Sequence, residues 1–159
     1  MCIRDRLKYS WARDIPRHIV DKVISAFAGE YNVIHARRED QIGFEGTFSV
    51  TDSFKGMAVL CEMSEKRFFM DSFLQHTAAA MNKKSTVCWV ANTPKVFGYE
   101  LHDNILAAPY TMKPDLKASV FNKFNIIGLL EEFPYNNEEE IFNADEIIES
   151  IRKQEKAGQ

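Results

Sequence analysis

Long apolar runs are missing from this sequence of 159 residues, and nothing in it approaches the roughly 20 consecutive apolar residues that cross a bilayer. The opening residues also lack the apolar h-region of a secretory signal. There is no basic excess: a net charge of −3 argues against a dedicated nucleic-acid binder, which would carry a basic face. Cysteine is scarce. The three present, Cys2, Cys61 and Cys88, are odd in number, widely spaced and without a CxxC pair, which argues against both a disulfide scaffold and a zinc site. Cys61 and Cys88 stand in apolar surroundings, where cysteine behaves as a small buried hydrophobe. With 7 glycines and 5 prolines, no Pro-, Gly- or Ser-rich linker divides the chain. These absences point to one cytoplasmic domain.

What is present is ordinary for an α/β protein, 45% apolar and 27% charged. A domain of this size can bury roughly 70% of its unfolded surface. The opening Met-Cys-Ile-Arg-Asp-Arg resembles a translated sequencing adapter, of the kind that caps reading frames assembled from environmental DNA. On that reading residues 1–6 are a non-native leader, residues 7–152 the domain, residues 153–159 a polar frayed tail, and the native protein extends upstream.

Along the chain, Leu7-Lys8-Tyr9-Ser10 reads as the end of a strand. Asp14 and Pro16 supply helix start signals, and Ile19, Val20, Val23, Ile24 and Phe27 recur at helical spacing before Gly29. A β-type run covers residues 31–36, a polar loop residues 37–46, and a brief strand residues 48–50. Asp52 or Ser53 caps a second helix with Phe54, Met57, Ala58 and Cys61 on its apolar side. Arg67-Phe68-Phe69-Met70 is a short strand, residues 73–81 a third helix, and residues 85–91 a strand hydrophobic enough to be covered on both faces. Residues 92–110 read mainly as loop with a strand at 104–107, residues 120–127 as helix or strand, and Asn143 as the cap of a last helix carrying Ile147, Ile148 and Ile151. Alternating strands and helices predict an α/β fold with a parallel sheet.

Chemistry concentrates at Met70-Asp71-Ser72-Phe73-Leu74-Gln75-His76. Ser72 followed three residues later by Gln75 has the spacing of a capping box, which makes Ser72 the N-cap. Asp71 and His76 then occupy positions that lie together at the helix mouth. A helix that starts at the C-terminal end of a parallel strand offers free N–H groups and partial positive charge, a ready site for a phosphate. The plainer alternative is that Asp71, Ser72 and Gln75 only cap a helix. Asp52-Ser53-Phe54 repeats the opening Asp71-Ser72-Phe73, and the sequence reads this echo as shared capping chemistry.

The order of these elements resembles the C-terminal domain of glycosyltransferase family 9, the ADP-heptose:lipopolysaccharide heptosyltransferases. That family carries a helix opened by Ser/Thr-Leu, an apolar strand, Asp-Ser/Thr-Gly-x-x-His-x-Ala-Ala, a further strand and a Gly-Pro-Thr loop. The counterparts here are Asp52-Ser53-Phe54, Phe68-Phe69-Met70, Asp71-Ser72-Phe73-Leu74-Gln75-His76-Thr77-Ala78-Ala79, the strand at 86–91 and Asn92-Thr93-Pro94. Arg13-Asp14-Ile15-Pro16 stands where the family has Lys-x-Trp-Pro. The resemblance spans residues 7–104 and is strongest from Asp71 onward. Phe73 replaces the family's glycine and Ile15 its tryptophan, so the identity of the donor is not carried over.

The resemblance implies a Rossmann-like three-layer domain, the C-terminal half of a GT-B glycosyltransferase. It implies that the diphosphate of a nucleotide diphosphate sugar is bound near Ser72 and Phe73 and approached by His76. Asp71 would orient these groups, Arg13 would offer positive charge, and Asn92 and Thr93 would line the donor pocket. No cofactor and no metal are implied, in keeping with a sequence that has no DxD-type ligand pair. A saccharide acceptor and the catalytic base would come through a missing N-terminal domain, and the full-length enzyme would work close to a membrane surface. Two other readings fit the same residues: a Rossmann-like module that has lost donor binding, and another GT-B-like enzyme such as a nucleotide-sugar epimerase.

Other polar residues have plainer readings. Arg37-Arg38-Glu39-Asp40 reads as a solvated charged loop, with ribose or phosphate contact as the alternative. His35 reads as a packed core histidine, and His102 as part of a turn or of the donor pocket. The aromatic residues Phe68, Phe69, Phe73, Trp89, Phe97 and Tyr99 read mostly as core, Tyr99 also as a surface on which a base could stack. Glu138-Glu139-Glu140 reads as a solvated stretch.

Overall fold

A computed structural model of the chain describes residues 1–4, 14–90, 92–108 and 140–154. Its elements run β1 (Cys2–Arg4), α1 (Arg17–Phe27), β2 (Ile34–Ala36), β3 (Phe48–Val50), α2 (Phe54–Met63), β4 (Arg67–Met70), α3 (Phe73–Ala80), β5 (Thr86–Trp89), α4 (Pro94–Phe97), β6 (Asp103–Leu106) and α5 (Ala144–Arg152). Among the described residues the strands form one six-stranded sheet in the order β3-β2-β1-β4-β5-β6. Every neighbouring pair is parallel. This is the Rossmann-like α/β architecture that the alternation of strands and helices predicts. Residues 2–4, which the sequence assigns to a leader, pair with both β2 and β4 in the middle of the sheet. The expected strand at Leu7-Lys8-Tyr9-Ser10 and the ambiguous segment 120–127 lie outside the described residues.

The period-2 alternation of strand side chains divides the core into two layers. Ile3, Phe68, Met70 and Cys88 face one side and pack with Ile19, Val20, Val23 and Ile24 of α1 and Ile147 and Ile151 of α5. Cys2 and Phe69 face the other side and pack with Met57 and Cys61 of α2 and Leu74 and Ala78 of α3. Phe68, Phe69 and Met70 therefore serve both layers in turn, which is why β4 is buried throughout. Cys61 and Cys88 are free buried thiols, as their apolar surroundings predict, and burial pushes both above the ordinary thiol range. Two aromatic residues depart from the expected core: Phe97 and Tyr99 remain about 40% exposed. They lie on the loop that follows β5, beyond the sheet's cover.

The start of β4 is held by polar contacts that its sequence does not announce. Lys66 Nζ donates to the carbonyls of Arg152 and Gln154 at the end of α5. Arg67 is 3% exposed, and its guanidinium donates to Cys61 O at 2.8 Å and to Ser64 O at the end of α2. Helix C-termini carry partial negative charge and unpaired carbonyls, so each cation satisfies one. Neighbouring residues on one chain thus cap helices on opposite faces of the sheet.

Gln154 completes the arrangement and is itself no part of a frayed tail; residues 155–159 lie outside the described residues. It is 3% exposed. Its Oε1 accepts from Arg67 N at 2.9 Å, and its Nε2 donates to Arg67 O at 2.8 Å and Thr86 Oγ1 at 2.9 Å. The amide mimics one more rung of backbone pairing. Gln154→Ala leaves buried backbone groups unpaired and should cost roughly 1–3 kcal/mol of unfolding free energy in urea titration; a loss under about 0.5 kcal/mol, the scale of an ordinary surface change, would show that the amide does not hold α5 to β4.

Candidate functional site

The chain runs outward through β1, β2 and β3, returns to the far side of β1 as β4, and continues to β5 and β6. In open parallel sheets the crevice where strand order reverses, beyond the strands' carboxyl ends, is where ligands bind. On the β4 side that place is Asp71-Ser72, between Met70 at the end of the strand and Phe73 at the start of α3.

The two Asp-Ser-Phe openings give the clearest view of this place, because one tripeptide is used in two ways. At α2, Ser53 is the N-cap and its Oγ accepts from Gly56 N at 3.2 Å. The Asp52 carboxylate accepts from Ser53 N at 2.6 Å. It also lies over the first turn, where a Cβ on Gly56 would come within 1.9 Å of Asp52 Oδ2. The chain's own acid fills this positive end.

At α3 the cap is not closed. Ser72 has the extended backbone of an N-cap, with φ −153° and ψ 171°, but makes no side-chain cap bond. Its Oγ is buried and has no hydrogen-bond partner among the described residues. The expected capping box fails because Gln75 is drawn elsewhere: it is fully buried, and its Nε2 donates to Phe97 O at 3.1 Å. Gln75 Oε1 is likewise buried without a partner among the described residues. Asp71 accepts from Asn92 Nδ2. The echo between the two tripeptides is therefore not shared capping chemistry.

Of the residues singled out in the sequence, the structure brings Asp71, Ser72, Phe73 and Asn92 together at the β4–β5 edge. Thr93 caps α4, accepting from Lys95 N at 3.3 Å. His76 is exposed and its Nδ1 lies 2.9 Å from Tyr99 Oη. The expected Asp71–His76 pair is thus divided, Asp71 engaging Asn92 and His76 engaging Tyr99. Arg13 lies outside the described residues. Phe73, in the position of the family's glycine, packs edge-to-face on Phe54 with ring centroids 4.9 Å apart.

Behind the mouth, His102 fixes the first turn of α3. Gln75 O is a pure acceptor 2.8 Å from His102 Nε2, so Nε2 carries the proton and Nδ1 accepts from Ser85 Oγ at 3.1 Å. Burial pushes this imidazole below the ordinary histidine range, which keeps it neutral at pH 7.

Sequence reasoning missed a pocket of about 630 Å³ beside the mouth, lined by Arg37, Arg38, Asp40, Thr51, Phe54 and Phe73 among others. The loops after β2 and β3 meet there because their strands are neighbours with parallel direction. Arg37 folds the first loop by donating through one terminal nitrogen to Arg38 O at 3.0 Å and Glu39 O at 3.3 Å. The Arg-Arg-Glu-Asp run is thus an organised wall rather than only a solvated loop, a distinction its composition could not make.

No family model matches the sequence, and no curated protein matches it. Among solved structures the chain is similar to the E. coli heptosyltransferase WaaC with ADP, with a TM-score of 0.56 at 14% identity over 67% of this chain. The chain spans 38% of that protein's length. At this identity the likeness is one of fold: a glycosyltransferase-like Rossmann domain.

The two serines should respond oppositely to truncation. Ser53→Ala removes a formed cap and should cost about 1 kcal/mol. Ser72→Ala removes a buried, unsatisfied hydroxyl and should leave the unliganded protein as stable or more stable by up to about 1 kcal/mol. Chemical denaturation of both variants checks this; a loss at Ser72 equal to that at Ser53 would mean that Ser72 caps α3 after all.

Proposed function

We propose that this chain is the donor-binding half of a GT-B glycosyltransferase. It holds a nucleotide diphosphate sugar whose glycosyl group passes to a saccharide acceptor, in synthesis of cell-surface polysaccharide or lipopolysaccharide. The observation that carries this reading is the buried Ser72 hydroxyl, without a partner at an uncapped helix N-terminus where the strand order reverses. Its geometry favours an anion. The likeness in fold to a heptosyltransferase supports the same reading.

In this account the donor diphosphate sits at the mouth of α3. The helix N-terminus and the Ser72 hydroxyl face its oxygens, and the hydroxyl donates to one of them. Asn92 holds the Asp71 carboxylate beside the mouth. His76 on α3 and Thr93 at the start of α4 border the donor, and the resemblance to glycosyltransferase family 9 assigns Arg13, outside the described residues, the same part. As the glycosyl bond breaks, negative charge grows on the departing diphosphate, and fixed donors in place before the reaction stabilise it without reorganising. The helix terminus adds roughly 0.3–1 kcal/mol per nearby charge when exposed and up to about 2 when partly buried. The catalytic base and the acceptor site belong to a partner domain outside this chain, so this chain alone binds the donor and turns over nothing.

Thermal unfolding of the chain with ADP-, UDP- and GDP-sugars and with inorganic pyrophosphate tests the proposal. At least one nucleotide sugar should raise the melting temperature, and Ser72→Ala should weaken that ligand roughly 10-fold, the loss of one hydrogen bond to a charged group. No shift with any of them, or a shift unchanged in Ser72→Ala, would reject the donor site.

A further inference from the structure

We propose that Tyr99 is a positioning residue for the donor site: its hydroxyl fixes the tautomer of His76, so that His76 Nε2 presents a proton to the diphosphate. This rests on the donor reading above and adds which atom of His76 serves the anion and what holds it there. His76 Nδ1 lies 2.9 Å from Tyr99 Oη. A phenol is a stronger acid than a neutral imidazole N–H, and an unprotonated imidazole nitrogen is a stronger base than a phenol oxygen. Tyr99 therefore donates and Nδ1 accepts, which leaves the proton of the neutral ring on Nε2. The Gln75 amide does not compete. Its Nε2 lies 3.3 Å from His76 Nδ1 and 3.2 Å from His76 Nε2, so it sits along the lone pair of neither, and it donates to Phe97 O.

Tyr99 is held more firmly than an exposed loop residue requires. It is 41% exposed, yet its ring meets the His76 ring edge-to-face with centroids 5.6 Å apart, and the His102 ring in the same way at 5.7 Å. His102 is itself fixed by Gln75 O and Ser85 Oγ. The backbone is fixed too: Tyr99 O accepts from Asn104 Nδ2 at 3.0 Å and from His102 N at 3.1 Å. Asn104 in turn accepts from Trp89 Nε1 at 2.8 Å, at the end of β5. The hydroxyl thus has a set position against His76, although the connection that carries it faces solvent.

The direction of His76 follows from the helix. It stands four residues after Ser72, which places the two on one face of α3, and helical side chains lean toward the N-terminus. An imidazole there lies over the turn that Ser72 opens. With Nδ1 taken by Tyr99, Nε2–H is the group that can donate to a phosphate oxygen. The opposite tautomer would turn a lone pair toward the anion and repel it. Asp71 and His76 thus need no bond to each other: Asn92 holds the one and Tyr99 the other, both on the connection between β5 and β6.

Two measurements on the whole chain test this. The first needs no ligand: long-range ¹H–¹⁵N correlation of the imidazoles in mildly alkaline buffer, where histidine side chains are neutral. His76 should show Nε2–H alone in the wild type and a mixture of tautomers in Tyr99→Phe, which keeps the ring and loses the hydroxyl. The second is a double-mutant cycle on affinity for inorganic pyrophosphate, by calorimetry on the wild type, Tyr99→Phe, His76→Ala and the double variant. Both residues are exposed, so neither change empties the core. His76→Ala should weaken pyrophosphate roughly 10-fold, the loss of one hydrogen bond to a charged group. Tyr99→Phe should weaken it roughly 3-fold when His76 is present and less than about 1.5-fold in the His76→Ala background, because it acts through that ring. Nδ1–H in the wild type, a tautomer unchanged in Tyr99→Phe, no loss in His76→Ala, or an equal Tyr99→Phe loss in both backgrounds would overturn the assignment and leave the diphosphate site standing. Pyrophosphate that fails to bind the wild type would overturn both.

Discussion

Helix ends carry charge, and β4 is built between ends of both signs. At its start two helices finish, each leaving carbonyls that need donors; Lys66 and Arg67 supply them, one helix on each face. At its finish a helix begins, leaving N–H groups that need acceptors, and here the Ser72 side chain supplies none. Phe68, Phe69 and Met70 between them are apolar and feed both core layers. Polarity at one end stabilises the two helices that finish there, while at the other the Ser72 hydroxyl is left without a partner among the described residues.

The open end is specific rather than a general property of this sheet. The α2 terminus starts with the same three residues and is closed by Asp52 and Ser53. What differs is the surroundings of the acid. Asn92, on the loop after β5, donates to Asp71, whereas Asp52 accepts from Ser53 N and folds over Gly56. Gln75 is removed from capping by the carbonyl of Phe97, and His102 holds the same turn through its backbone. The connection between β5 and β6, distant in sequence, thus engages Asp71 and Gln75 beside the helix mouth.

Much of the fold was legible because it follows from periodicity. The stripe from Ile19 to Phe27, the run Arg67-Phe68-Phe69-Met70, and Asn143 before its amphipathic helix are local signals, and each element formed where its residues indicate. The strand and the alanine-rich helix that frame the candidate site were legible too, since a strand followed by Asp-Ser and such a helix is a local pattern. The site's bonding was not. A capping box is inferred from spacing alone, and whether Gln75 turns back to the cap or across to Phe97 depends on a loop 22 residues away. Gln154 was misread for the same reason: a polar residue near a chain's end looks solvated until the strand it completes is known. The pocket required both the order of the strands and the contact between Phe54 and Phe73, neither of which the sequence displays.

The central claim is that α3, and not α2, presents an open anion-binding terminus. Backbone amide resonances report this directly, because an anion at a helix mouth shifts the N–H groups it touches. Titration of the ¹⁵N-labelled chain with inorganic pyrophosphate should move the amides of Phe73, Leu74 and Gln75 most and leave those of Phe54, Lys55 and Gly56 nearly still. Equal movement at the two helices, or larger movement at Phe54, Lys55 and Gly56, would contradict the account.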